Sequence, residues 1–171
     1  MTFKAEIRTS IGWNWNDGLV DNGRLDYTKH FSDGCGDGQA QAAWHLSGEP
    51  LPAGASRTLD LTSLQRDAMG TLLTTTLVRV KGLLVISDKS SSGTLALGGS
   101  AGCEWSSPFG AEGDTVAIPP DGVLMLSSRR EGWPVDDSHK LLKLAAIGGD
   151  VTYSLVLLGT LTAGGSGSSG T

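Results

Sequence analysis

The sequence predicts an all-β protein built as a β-sandwich, and three observations lead there. Short apolar runs alternate with polar residues, the pattern of half-buried strands. Turn residues separate the runs about every ten positions, which is the spacing of sandwiches and barrels. Glycine is abundant, with 25 among 171 residues. That is about twice the usual ~7% share and supplies the positive φ angles of tight turns.

Residues 3–13 (FKAEIRTSIGW) set Phe3, Ala5, Ile7, Thr9 and Ile11 on one face against Lys4, Glu6, Arg8 and Ser10 on the other. This predicts a strand. From Asn14 to Gly38 the pairs Asn16-Asp17-Gly18, Asp21-Asn22-Gly23, Asp33-Gly34 and Asp37-Gly38 predict turns, with one short strand between Leu25 and Phe31. Residues 40–47 predict another strand, ended by Pro50 and Pro52. Leu59 and Leu61 flank Asp60, and Leu64 to Gly70 reads as a loop or a single helical turn.

Thr74 to Ile86 then reads as one long strand, with Val78, Val80, Leu84 and Ile86 on one face and Arg79 and Lys81 on the other. Thr94–Leu97, Thr115–Ile118 and Val123–Ser127 are short strands, the last two meeting at the corner Pro119-Pro120-Asp121-Gly122. Lys140–Ile147 lacks strict alternation, so helix is an alternative there; its shortness and the following Gly148-Gly149-Asp150 favour strand. In Val151–Thr160 both faces are apolar: Val151, Tyr153, Leu155 and Leu157 on one, Val156 and Leu158 on the other. A central or interface-covered strand has this character. The expected organisation is a turn-rich N-terminal segment (1–50), a sandwich (51–162) and a flexible Gly/Ser tail (163–171).

Charge narrows the partners. The net charge is −5, and no basic run is longer than Arg129–Arg130. Duplex nucleic acid needs a clustered basic face, so no nucleic-acid partner is expected. The N-terminus Met1-Thr2-Phe3-Lys4-Ala5-Glu6 has no apolar signal-peptide core, and the apolar run Leu155–Leu158 is far below the ~20 residues of a membrane helix. Synthesis in a cytoplasm and no membrane association are expected. In that compartment Cys35 and Cys103 are expected to be free thiols.

Candidate chemistry is thin. Asp33-Gly34-Cys35-Gly36-Asp37-Gly38 imitates half a calcium loop, but Cys35 takes a ligand position and Trp44 stands where a bidentate Glu belongs. A plain turn is the simpler reading. His30, His45 and His139 lack the close pairing of zinc ligands. Gly98-Gly99-Ser100-Ala101-Gly102 only resembles a nucleophile elbow, and Asp136-Asp137 reads as a turn. No cofactor, no metal and no enzyme activity are expected. The five tryptophans offer more: Trp13 and Trp15 share a strand face, and Trp44, Trp105 and Trp133 fall at or near predicted loops. Aromatics anchor interfaces or stack on sugars, so all five are candidate interface residues, with cover of core edges as the plain alternative.

Three stretches carry a resemblance. They are Leu59-Asp60-Leu61 with Asp67-Ala68-Met69-Gly70 and Leu77-Val78-Arg79-Val80-Lys81-Gly82; Ile118-Pro119-Pro120-Asp121-Gly122-Val123-Leu124-Met125-Leu126; and Val151-Thr152-Tyr153-Ser154-Leu155-Val156-Leu157-Leu158-Gly159. Over about its C-terminal two thirds the chain resembles small virion proteins of tailed bacteriophages, of the head-fibre or capsid-decoration kind. It departs from them at Met69, near which they often have an aromatic residue, and at Asp121, where they have a second Gly. The resemblance transfers no active-site residues. It implies a jelly-roll-like sandwich with an N-terminal docking segment and a structural role on the capsid exterior. It further implies the major capsid protein or other virion proteins as partners, and a homo-oligomer, by analogy a trimer. The alternative is a tail or fibre component that binds a host surface glycan. A cell-wall hydrolase is a third class, with no residues to assign to it.

Overall fold

The structure, a computed structural model, describes residues 2–16, 18, 20–100 and 102–161. These contain strands and turns and no helix. The predicted tail 163–171 lies outside the described residues. Strands β1 (Ala5–Asn16) and β2 (Val20–Asp33) form a long antiparallel hairpin, paired from Ala5↔Phe31 to Asn16↔Val20. The two-residue β3 (Gln39–Ala40) runs parallel to the end of β2. The remaining strands are β4 (Ala42–Leu51), β5 (Ser56–Asp60), β6 (Leu64–Ala68), β7 (Thr71–Thr75), β8 (Arg79–Ser87), β9 (Thr94–Gly98), β10 (Thr115–Ile118), β11 (Val123–Ser127), β12 (Trp133–Pro134), β13 (Leu141–Ile147) and β14 (Val151–Thr160).

Apart from β6 and β7, which pair only with each other, they build two antiparallel sheets. One has the order β11-β8-β14-β4, with β12 paired to the start of β8; the other has the order β10-β9-β13-β5. The sheets share one apolar core. Val80, Leu83 and Val85 of β8 and Val151, Tyr153, Leu155 and Leu157 of β14 face Leu95 and Leu97 of β9 and Leu142, Leu144 and Ala146 of β13. Alternation along each strand sends these side chains inward, which is why the period-2 pattern was readable there. The body therefore takes in β4, inside the segment expected to precede it. Pro50 pairs with Thr152 within β4, because β4 is an edge strand and has no further neighbour requiring the missing N–H.

Trp105 is fully buried and meets Phe109 and Trp133 edge-on, with ring centroids 6.0 and 6.5 Å away. Its indole N–H donates to the Pro134 carbonyl at 2.9 Å. Trp44 is buried on the inner face of β4 and donates to the Gln65 carbonyl at 3.2 Å. These two are core residues of the chain, a correction to their reading as interface candidates. Trp133, half-buried against the same cluster, covers its edge.

Three further expectations change. Leu64 to Gly70 is no helical turn: β6 and β7 form a tight hairpin whose two turn residues, Met69 and Gly70, both have positive φ (55° and 80°). Thr74 to Ile86 is not one strand, since β7 ends at Thr75 and the chain passes the buried Leu77 and bends at Val78 before β8. Within β8 the facing also inverts. The register against β14 slips between Leu158↔Gly82 and Gly159↔Val80, leaving Lys81 as an extra residue. Val80 thus points inward on one side of the bulge, and Leu83 and Val85 on the other, while Leu84 and Ile86 face out.

Trp105→Ala removes the aromatic at the centre of this packing and the donor to Pro134. A loss of about 3–5 kcal/mol is expected, measured as the change in unfolding free energy by urea denaturation. A loss under 1 kcal/mol would show that the cluster does not hold the loops to the core.

Candidate functional site

Several titratable residues are engaged in turns and loops. Asp136 Oδ1 accepts from the backbone N–H groups of Ser138 and His139 at 2.8 and 2.9 Å and lies 3.0 Å from His139 Nδ1. The His139 contact and these backbone donors hold its carboxyl below the usual carboxylate range. Cys103, with φ 47°, and His139 line one shallow polar pocket of about 190 Å³. The His139 imidazole is engaged through Nδ1 with Asp136. Buried Glu104 accepts from the N–H groups of Gly99 (2.5 Å) and Gly113 (2.7 Å), tying down the long β9–β10 connection. Among the described residues, no group of three or more His, Cys, Asp or Glu side chains could hold a metal ion. Both cysteines are free.

The Asp33–Gly38 turn is organised by a cation of the chain itself. Lys81, the bulge residue, is 1% exposed, and its ammonium donates to the carbonyls of Gly36 (2.5 Å), Arg130 (2.8 Å) and Arg129 (3.4 Å). Burial pushes its pKa below the ordinary lysine value, opposed by the charge of Asp37. Asp37 pairs with Arg129 at 3.3 Å and Arg130 at 3.8 Å, and the Gly38 N–H donates to the Arg129 carbonyl at 3.1 Å. The turn that ends β2 is thereby clamped to the 128–131 loop, and this fixes how the β1–β2 hairpin leaves the body.

That hairpin is the most unusual part of the surface. One face is polar: Glu6 pairs with Arg8 and with His30 (3.1 Å), and Arg24 donates to Ser10 (2.9 Å) and Asp26 (2.7 Å). The other carries Ile7, Ile11, Trp13 and Trp15 from β1 and Leu25, Tyr27 and Phe31 from β2, as the register requires. Only the foot of this apolar face is buried, where Ile7 and Phe31 cluster with Ala40 and Leu158 against Met125. A Cβ on Gly82 would meet the Ile7 side chain at 3.1 Å, so the absent side chain makes the seat. Outward from the foot, Ile11 (70% exposed), Trp13 (48%), Trp15 (64%) and Leu25 (69%) face solvent.

Trp13 also explains why Asp21-Asn22-Gly23 is strand rather than the expected turn. Its indole lies across the hairpin over Gly23, where any Cβ would collide with the ring. Its N–H donates to Asp21 at 3.3 Å. An aromatic laid over a strand glycine replaces the missing side chain. The structure thus keeps Trp13 and Trp15 together on an exposed face and separates them from Trp44, Trp105 and Trp133. It adds Ile11, Leu25 and Tyr27, which the alternation of residues 3–13 could have signalled once its partner strand was known.

The seat continues across the outer face of β11-β8-β14-β4. Register places Ser127, Gly82, Leu158 and Ala43 in one row, under the hairpin foot. The next row is Met125, Leu84, Val156 and His45, followed by Val123, Ile86 and Ser154. Val123 (62%), Ile86 (39%) and Val156 (37%) are exposed. An apolar groove of about 250 Å³ runs between the hairpin foot and these rows. A second apolar projection is the β6–β7 tip, with Met69, Leu72 and Leu73 exposed. Neither a family model nor a curated protein matches the chain.

Replacing Lys81 by Met removes the charged donor from three carbonyls; those of Gly36 and Arg129 keep the N–H groups of Gln39 and Gly38, and that of Arg130 loses its partner. A loss of about 1.5–3 kcal/mol is expected, together with at least tenfold faster hydrogen exchange at the Gly38 amide. Unchanged exchange there would show that the clamp does not hold the turn.

Proposed function

We propose that the chain is a non-enzymatic structural protein of a tailed-bacteriophage particle, sitting on the capsid exterior as a decoration or head-fibre protein. In this reading it is made in the host cytoplasm and works in the virion. The observation that carries the reading is the pairing of a closed two-sheet body with a projecting hairpin whose outer half exposes an apolar, tryptophan-bearing face. Contiguous apolar surface of this kind marks a contact with another macromolecule. The hairpin is the proposed N-terminal docking segment, and the expected assembly is a trimer in contact with the major capsid protein.

The jelly-roll assignment belongs to the same proposal, and strand order supports it. Taken in chain order and with the two-residue β12 set aside, the eight strands of the two sheets pair first with last, β4 with β14, then β5 with β13, β8 with β11 and β9 with β10. A long hairpin rolled into two sheets has these pairings, and viral capsid and lectin domains are among the proteins built on it. Fold alone does not assign function, so the capsid location rests on the resemblance of the C-terminal two thirds to virion proteins.

The second reading, a tail or fibre component that binds a host glycan, is favoured by one observation: the Trp13 indole lies over Gly23 with Trp15 exposed on the same face. Aromatic faces of this kind stack on sugars. Immunogold electron microscopy with an antibody against the chain separates the readings. Label over the heads of intact particles is the expected result. Label confined to tails, with saturable binding to host surface polysaccharide, would transfer the protein to the glycan reading. Absence from purified particles would remove both.

A further inference from the structure

We infer that the exposed outer half of the β1–β2 hairpin docks on the outer face of the β11-β8-β14-β4 sheet of a second copy of this chain. The inference deepens the structural reading above by specifying how copies join, and it does not depend on the particle.

The first support is a template within the chain. At its foot the hairpin already packs this same apolar face on this same sheet face, Ile7 and Phe31 against Leu158 and Met125. From there it runs across the strands: Thr9 and Tyr27 line a groove with Met125 and Ser127 of β11. Strand β11 is the edge of the sheet, so the hairpin runs out of its own seat at that point. Ile11, Trp13, Trp15 and Leu25 continue the face beyond the seat and stay 48–70% exposed, and Val123, Ile86 and Val156 continue the seat and stay 37–62% exposed. One chain thus carries both halves of an unfinished contact whose finished half it also displays.

Length and stability point the same way. The hairpin pairs twelve residues of β1, about 40 Å at roughly 3.3 Å per residue. A two-stranded ribbon exposed on both sides is marginal in water, and covering one apolar face gives it the third layer it needs. Polarity selects the face: the opposite side is laced by the Glu6–Arg8, Glu6–His30 and Arg24–Asp26 pairs and gains nothing from burial. The four exposed side chains present roughly 500 Å² of apolar surface, given about 150–250 Å² for a whole aromatic. With the matching area on the sheet, each contact buries about 1,000 Å², the threshold of a specific interface. In a closed ring every copy makes the contact twice, once with its hairpin and once with its sheet.

The test is the mass of the purified full chain across a concentration series by analytical ultracentrifugation. The expected result is a closed oligomer that dissociates on dilution. Two variants act on opposite sides of the contact, Trp13→Ser/Trp15→Ser on the hairpin and Val156→Lys on the sheet. Each is expected to raise the dissociation constant at least tenfold while leaving the urea midpoint of the body in place. Val156 is exposed, so this substitution leaves the core intact even if the tryptophan pair affects the hairpin. Mixing a Cys103→Ser/Trp15→Cys chain with a Cys103→Ser/Ile86→Cys chain should yield a mixed disulfide dimer under mild oxidation. A chain that stays monomeric at millimolar concentration overturns the inference, as does an oligomer unaffected by both variants. If that monomer still binds particles, the structural reading survives and the hairpin's occupant is a capsid protein. If the oligomer forms and binds no particle, the interface stands and the capsid reading falls.

Discussion

Strand β14 is the constraint on which the molecule depends, because both of its faces must be covered. Its inward residues Val151, Tyr153, Leu155 and Leu157 close the core, and it pairs with β8 on one side and β4 on the other. Its outward residues cannot be left wholly to water. Leu158 is covered by the hairpin foot, and Val156 is left 37% exposed two residues earlier. A strand in a two-layer sandwich normally has one wet face. Here the second face creates a seat, and the hairpin is the element that uses it. Inner core and outer seat are opposite faces of this one strand, so the energetics of folding and of docking share a single element.

The hairpin's direction in turn rests on polar chemistry at the bulge. Inserting Lys81 between Val80 and Gly82 lets Val80 and Leu83 both face the core and puts an ammonium beneath two loops. Three carbonyl acceptors offset part of the cost of burying that charge, which would otherwise be several kcal/mol. The arrangement joins the end of β2 to the 128–131 loop, so a local irregularity in one strand orients a distant one. Asp37 completes the clamp from the surface through Arg129 and Arg130. Being exposed, those pairs add little by themselves.

The fold class and most strands were legible because they are written in local alternation. Residues 3–13 from Ala5 onward, Thr94–Leu97, Thr115–Ile118, Val123–Ser127 and Val151–Thr160 became strands. The two-faced character of β14 was also legible, and it pointed to the seat. What failed was decided by distant partners. Asp21-Asn22-Gly23 has the composition of a turn and becomes strand because Trp13 covers the glycine. The facing of β8 could not be read because one bulge residue shifts parity along half the strand. Trp13 and Trp15 were recoverable as a surface pair from their spacing, whereas Trp44, near the end of a predicted strand, and Trp105, in a predicted loop, are buried by packing from other elements. The outer-face rows were invisible to the sequence, since a row is defined by register across four strands.

The rolled pairing also has a consequence for how the chain reaches this state. Strand β4 joins β14 through contacts such as Gly48 with Ser154, 106 residues apart. The first body strand therefore waits for the last described one, and β8, destined for the middle of a sheet, waits with it. Contacts of such separation repay their loop-closure entropy late, and folding dominated by them takes milliseconds to seconds. During synthesis Leu83, Val85 and Trp44 emerge well before β14 can shield them, exposing unpaired strands while other nascent chains are near. Edge strand β4, with Pro50 interrupting its free side, is poorly suited to recruiting a foreign strand in that interval. A residue that at first reads as the end of a strand is thus a safeguard of the slow-closing sheet.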